Sequence, residues 1–157
     1  DEWLAEIDKT MPDEKTILVG HSRGGVAVMR WLEKQKSEKR IKKVILVATN
    51  SGRLKDKAVQ SESNYGFYTE KGYDFEKIKS HCNDFVVLHS RDDKWVPFSA
   101  GETNTAGLSA RFLKFNDRGH FGKGVDAPCL KGFLWLRVLL VDWLVVLWAL
   151  PEVQPQQ

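Results

Sequence analysis

Aliphatic residues in this chain fall into short unbroken runs, separated by segments of helical or loop character. The unbroken runs are 17–19 (ILV, closed by Gly20), 43–48 (KVILVA), 84–89 (DFVVLH) and 110–115 (ARFLKF). A run without polar alternation suits a strand covered on both faces, the habit of parallel sheets. After the first run, residues 24–36 place Val26, Met29, Trp31 and Leu32 at helical spacings. Residues 1–11 do the same with Trp3, Leu4 and Ile7, and Pro12 and Asp13 break that helix before the first strand. The pattern predicts an α/β protein: a mostly parallel sheet of about four strands flanked by helices, opening on a helix. Residues 50–73 are polar but carry Tyr65, Phe67, Tyr68 and Tyr73. In an open α/β sheet such a segment lies over the strand ends, where its aromatics either line an apolar pocket or simply pack.

The end of the chain breaks this rhythm. Residues 133–150, FLWLRVLLVDWLVVLWAL, are apolar except for Arg137 and Asp142. The expectation is a domain over 1–130, an apolar helix over 131–150 and a frayed polar tail over 151–157. Arg137 and Asp142 would each cost about 3 kcal/mol in the middle of a membrane span. A core helix or a self-association surface is therefore preferred to a membrane anchor through 133–150.

Composition narrows the class. The 157 residues are one domain's length, and 42% hydrophobic with 29% charged residues can bury a core. The formal charge of +3 comes from interspersed charges, and the one basic stretch, KSEKRIKK at 36–43, lacks interleaved aromatics. It reads as a solvated helix end, and no nucleic-acid partner is expected. Cys82 and Cys129 sit in no spacing motif and read as free thiols in a reducing, cytoplasmic compartment. Neither a C-x-x-C nor an H-E-x-x-H occurs, so a metal site is not expected.

Candidate chemistry lies in TILVGHSRGGVAVMRW, residues 16–31. A strand feeding G-H-S-R-G and then a helix is the nucleophile-elbow pattern, with Gly20 and Gly24 leaving room for the backbone around an exposed Ser22. A random chain of this length carries a G-x-S-x-G about 5% of the time, so its place between a strand and a helix carries the weight. At that helix start, the backbone amide of Arg23 and the positive end of the dipole would face a developing oxyanion. A serine needs a base and the base an orienting carboxylate. His21, His81 and His89 lie in or beside strands and read as structural, whereas His120 sits in a glycine-rich loop, NDRGHFGKG, after the fourth run. After the third run, SRDDKWVPF offers Asp92 and Asp93, and the D-x-x-V-P spacing that begins at Asp93 resembles the acid loops of hydrolases. Ser22, Asp93 and His120, each following a strand, stand in the chain order Ser, Asp, His.

The chain resembles the α/β-hydrolases, and within them the small serine hydrolases of the retinoblastoma-binding protein 9 type. The resemblance is carried by VGHSRGG around Ser22, KKVILVA, DFEKIKSHCNDFVVLHSRDDKWVPF through Asp93, and GHF with His120, and it spans residues 1–125. It implies a partial α/β-hydrolase fold and carboxylesterase-like cleavage of a small-molecule ester or amide, without a cofactor. Ser22 would attack, His120 would act as base and acid, and Asp93 would orient it. Family members begin with a strand whose following loop supplies a second oxyanion amide, so this chain is expected to be the C-terminal part of a larger enzyme. Loss of that donor costs on the order of a hundred- to a thousandfold in rate. Strand 16–19 would also keep an open apolar edge, which favours self-association. The competing expectation is a non-catalytic hydrolase-fold fragment or interaction module.

Overall fold

A computed structural model describes residues 2–36, 38–56, 67–121, 136–141 and 144–149. The aliphatic runs form β1 (Thr16–His21), β2 (Lys43–Val47), β3 (Phe85–Ser90) and β4 (Arg111–Phe115). These four strands pair in parallel in the spatial order β4-β3-β2-β1. Their side chains divide with period two, as the pleat requires. Leu18, Val44, Leu46, Phe85 and Val87 join one buried cluster, and Ile17, Val19, Ile45, Val47, Val86 and Leu88 join another.

The first cluster also takes the apolar faces of the helices. α1 (Glu2–Lys9) contributes Leu4 and Ile7, and α2 (Arg23–Lys34) contributes Val26, Met29, Trp31 and Leu32. α3 (Phe75–Lys79) contributes Ile78, and α4 (Phe98–Leu108) contributes Leu108. Parallel strands need such crossovers, and α2 and α4 supply them between β1 and β2 and between β3 and β4. Neither α3 nor α4 is legible as a helix in the sequence. α4 (FSAGETNTAGL) holds two glycines, each costing about 1 kcal/mol of helix propensity. Packing demands them: a Cβ on Gly101 would crowd His89 and one on Gly107 would collide with Phe75.

The tail overturns two expectations. Where a helix was expected over 131–150, the chain forms β5 (Leu136–Val141) and β6 (Leu144–Ala149), an antiparallel pair. β6 in turn lies antiparallel on β1, from Thr16↔Trp148 to Gly20↔Leu144, so the edge of β1 expected to be open is paired. A helix would satisfy only its own backbone, whereas a strand here also satisfies the amides and carbonyls along the edge of β1. The Val-, Leu- and Trp-rich segments suit strands, and Asp142 divides the apolar run into pieces of strand length. Among the described residues no helix is long and apolar enough to cross a membrane. The polar tail 151–157, Tyr65 and Cys129 lie outside the described residues.

The basic stretch 36–43 continues no helix, because α2 ends at Lys34; it joins α2 to β2 and buries Ile41. The described aromatics of the 50–73 segment pack, with Tyr68 partly buried against the first cluster. Phe67 and Tyr73 belong to the first cluster, Phe67 edge-on to Trp3 and the Tyr73 hydroxyl donating to the Asn50 carbonyl at 3.1 Å.

Candidate active site

The turn from β1 into α2 is strained at one residue. Ser22 has φ 53° and ψ −119°, a conformation that side-chain-bearing residues rarely adopt. Its amide donates to the Val47 carbonyl at 2.9 Å, which anchors the turn on β2. A Cβ on Gly20 would collide with the backbone of Gly24 and Gly25, and one on Gly25 would overlap Thr49. Gly20 thus has the tight role expected of it, while the second glycine that packing requires is Gly25, one position beyond the motif. Ser22 stands at the N-cap of α2, where a serine oxygen ordinarily accepts a helix amide for about 1 kcal/mol. It makes no such bond. Its hydroxyl lies 2.9 Å from His120 Nε2 instead.

His120 follows β4, 98 residues from Ser22. Its Nδ1–H donates to Asp93 Oδ2 at 2.8 Å, and Asp93 follows β3. The other oxygen, Asp93 Oδ1, accepts the amides of Trp95 at 2.8 Å and Val96 at 3.0 Å. The Asp93 side chain is fully buried and that of His120 is 19% exposed. Burial alone would raise the Asp93 carboxyl. The bonds from His120, Val96 and Trp95 outweigh it and hold the group below the usual carboxylate value, so it is ionised at neutral pH. An acceptor-only carboxylate fixes the proton on Nδ1 and leaves the Nε2 lone pair facing the Ser22 hydroxyl. Arg23, the first residue of α2, stands directly beside Ser22 at the positive end of the helix.

The other histidines hold backbone. His21 Nε2–H donates to the His120 carbonyl at 2.7 Å, His81 Nδ1–H to Lys39 at 2.9 Å, and His89 Nε2–H to Val96 at 3.1 Å. Burial holds His21 and His89 below the ordinary imidazole value. Asp92 is exposed and does not reach the His120 ring; its Oδ1 accepts the Gly119 amide at 2.8 Å. Among the described residues no group of His, Cys, Asp or Glu is arranged to hold a metal ion.

Arg30 was not legible from sequence. It lies on α2 between Met29 and Trp31, is 8% exposed, and stacks over Tyr73 at 4.7 Å. Its guanidinium donates to the carbonyls of Phe67 (3.0 Å), Gly72 (3.0 Å) and Gly52 (3.2 Å) and pairs with Glu33 at 2.7 Å. One buried cation thus ties Gly52, Phe67 and Gly72 to α2. The only sequence signal was a charge on an otherwise apolar helix face.

A family model described as serine hydrolase matches residues 1–126. The chain is 35% identical over 120 residues to the serine hydrolase RBBP9 of Rattus norvegicus, covering 76% of this chain and 60% of that protein. Against the solved ydeN gene product of Bacillus subtilis it has a TM-score of 0.65 at 24% identity, covering 85% of this chain and 74% of that one. An esterase domain from Rhodothermus marinus superposes with a TM-score of 0.56 at 17% identity, covering 75% of this chain and 57% of that one. These neighbours share the α/β-hydrolase fold, and the chain spans about three fifths of the length of the rat protein. A strand, a strained glycine-flanked serine and a helix on such a sheet, with the family match along most of the described sequence, place the chain in the serine hydrolase family.

Proposed function

We propose that this chain carries the catalytic centre of a carboxylesterase-like serine hydrolase acting on a small ester or related acyl bond, with Ser22, His120 and Asp93 as its triad. The observation that carries this reading is the continuous hydrogen-bonded line from the Ser22 hydroxyl through His120 to the buried Asp93. The Ser22 oxygen attacks the acyl carbon while His120 Nε2 takes its proton, and Asp93 stabilises the imidazolium that results. The amide of Arg23 and the start of α2 face the oxyanion. His120 then returns the proton to the leaving alkoxide, the acyl group remains on Ser22, and water repeats the sequence to release the acid. The free, buried thiol of Cys82 accords with a reducing compartment such as the cytoplasm.

Hydrolysis of p-nitrophenyl acetate tests the reading. Wild-type chain should turn over above background, and Ser22→Ala and His120→Ala should each remove nearly all of it, because such residues act as a unit. Turnover that survives in Ser22→Ala would contradict the assignment.

A further inference from the structure

The loop that carries His120 has little internal support. Between β4 and Phe121 it has positive φ at Gly119 (50°) and Phe121 (53°), a backbone bond from the Phe121 amide to the Arg118 carbonyl at 2.9 Å, and an ion pair of Asp117 with Arg118 at 3.8 Å between exposed side chains. A catalytic group misplaced by about 1 Å can cost on the order of a hundredfold in rate, so an imidazole on a loop is placed only as well as its backbone is held.

Three consecutive residues of this loop are held from outside. Ser90 Oγ accepts the Arg118 amide at 3.0 Å, Asp92 Oδ1 accepts the Gly119 amide at 2.8 Å, and His21 donates to the His120 carbonyl at 2.7 Å. Ser90 also donates its hydroxyl to Asp92 Oδ1 at 2.5 Å, which joins the first two contacts into one network. Ser90 is fully buried at the end of β3, whereas Asp92 is exposed. An exposed aspartate has no packing role to explain its place. Its two donors, the hydroxyl of Ser90 and the amide of Gly119, both aim at one oxygen.

We propose that Asp92 is a positioning residue for His120, fixing the backbone beneath the imidazole through Gly119 and, by way of Ser90, through Arg118. This rests on the reading of Ser22, His120 and Asp93 as a working unit. The adjacent carboxylates then have separate roles, since Asp93 orients the ring and Asp92 sets where the ring starts. The carboxylate is suited to this because one oxygen accepts two donors at once, with charge-assisted strength.

The test compares Asp92→Ala, Asp92→Asn and Ser90→Ala with wild type. Steady-state hydrolysis of p-nitrophenyl acetate, the thermal midpoint, hydrogen exchange at the Gly119 amide and the nuclear magnetic resonance signal of the His120 Nδ1 proton are read for each. Asp92→Ala should lower kcat about 10- to 100-fold with little change in KM or midpoint, speed exchange at Gly119, and weaken the Nδ1 proton signal. Asp92→Asn keeps an accepting Oδ1 and should restore most of kcat, and Ser90→Ala should fall between the two. An Asp92→Ala chain with wild-type kcat and an intact Nδ1 signal would overturn the proposal, as would a loss of kcat matched by an equal loss of midpoint and an undisturbed Gly119. If wild-type chain shows no turnover at all, the hydrolase reading fails, and the exchange and proton signals still decide whether Asp92 places His120.

Discussion

Replacing Asp93 with asparagine changes one atom in the line of hydrogen bonds, and the surroundings dictate which way the new amide points. Asp93 Oδ1 accepts from two backbone amides, Trp95 and Val96. The NH₂ group of an asparagine cannot take that place, because donor would face donor. Its carbonyl must therefore keep the two amides, and its NH₂ must point at His120 Nδ1. The imidazole then has to accept at Nδ1 and carry its proton on Nε2, where it faces the Ser22 hydroxyl as a donor. In that tautomer it cannot take the serine proton. The equivalent change in a worked serine-protease triad costs about 10⁴-fold in kcat, which is about 5.5 kcal/mol of transition-state stabilisation. The two backbone amides remain bonded, so the thermal midpoint should shift by only a few degrees. The assay is kcat on p-nitrophenyl acetate at neutral pH, with thermal unfolding in parallel. An Asp93→Asn chain with wild-type kcat, or one inactive only because it has unfolded, would refute the tautomer reasoning.

Two further outcomes concern stability. Arg30→Met leaves Glu33 and the carbonyls of Gly52, Phe67 and Gly72 without their buried cation; breaking such a set costs about 3–5 kcal/mol, and a loss below about 1 kcal/mol in urea unfolding would count against the tie. Acid should also weaken the fold. Burial keeps His89 and His21 below the ordinary imidazole value even though the Val96 carbonyl and Asp93 raise His89 and the His120 carbonyl raises His21. The unfolded chain takes up protons below about pH 6.5 that the folded chain refuses, so stability falls from there and levels off below the folded values. His89→Gln, which keeps a donor for Val96, should lose less of its thermal midpoint between pH 7 and pH 5 than wild type does; an equal or larger loss would contradict the assignment.

What could be read from the sequence was whatever local pattern determines. Strands β1 to β3 are aliphatic runs buried on both faces, so period and composition mark them without tertiary knowledge. Ser22, Asp93 and His120 were legible because each follows a strand, and parallel strands bring their following loops to one end of the sheet. The misses share the opposite property. α4 carries glycines whose purpose is the close approach of His89 and Phe75, residues distant in sequence. The tail forms strands because β1 offers an edge to pair with, a demand set by topology and not by the tail's own period. The roles of Arg30 and Asp92 become visible only once their partners at Gly52, Gly72 and Gly119 are in place.

The central claim is that His120 and Asp93 activate the Ser22 oxygen as a nucleophile. A fluorophosphonate reports this without a known substrate, because it forms a phosphonyl ester only with an activated hydroxyl. Folded wild-type chain should gain one phosphonyl group, located by peptide mass spectrometry on Ser22, and Ser22→Ala and His120→Ala should gain none. Folded wild-type chain that stays unmodified, or that is modified at any other residue, would contradict the account and favour a hydrolase-fold module without turnover.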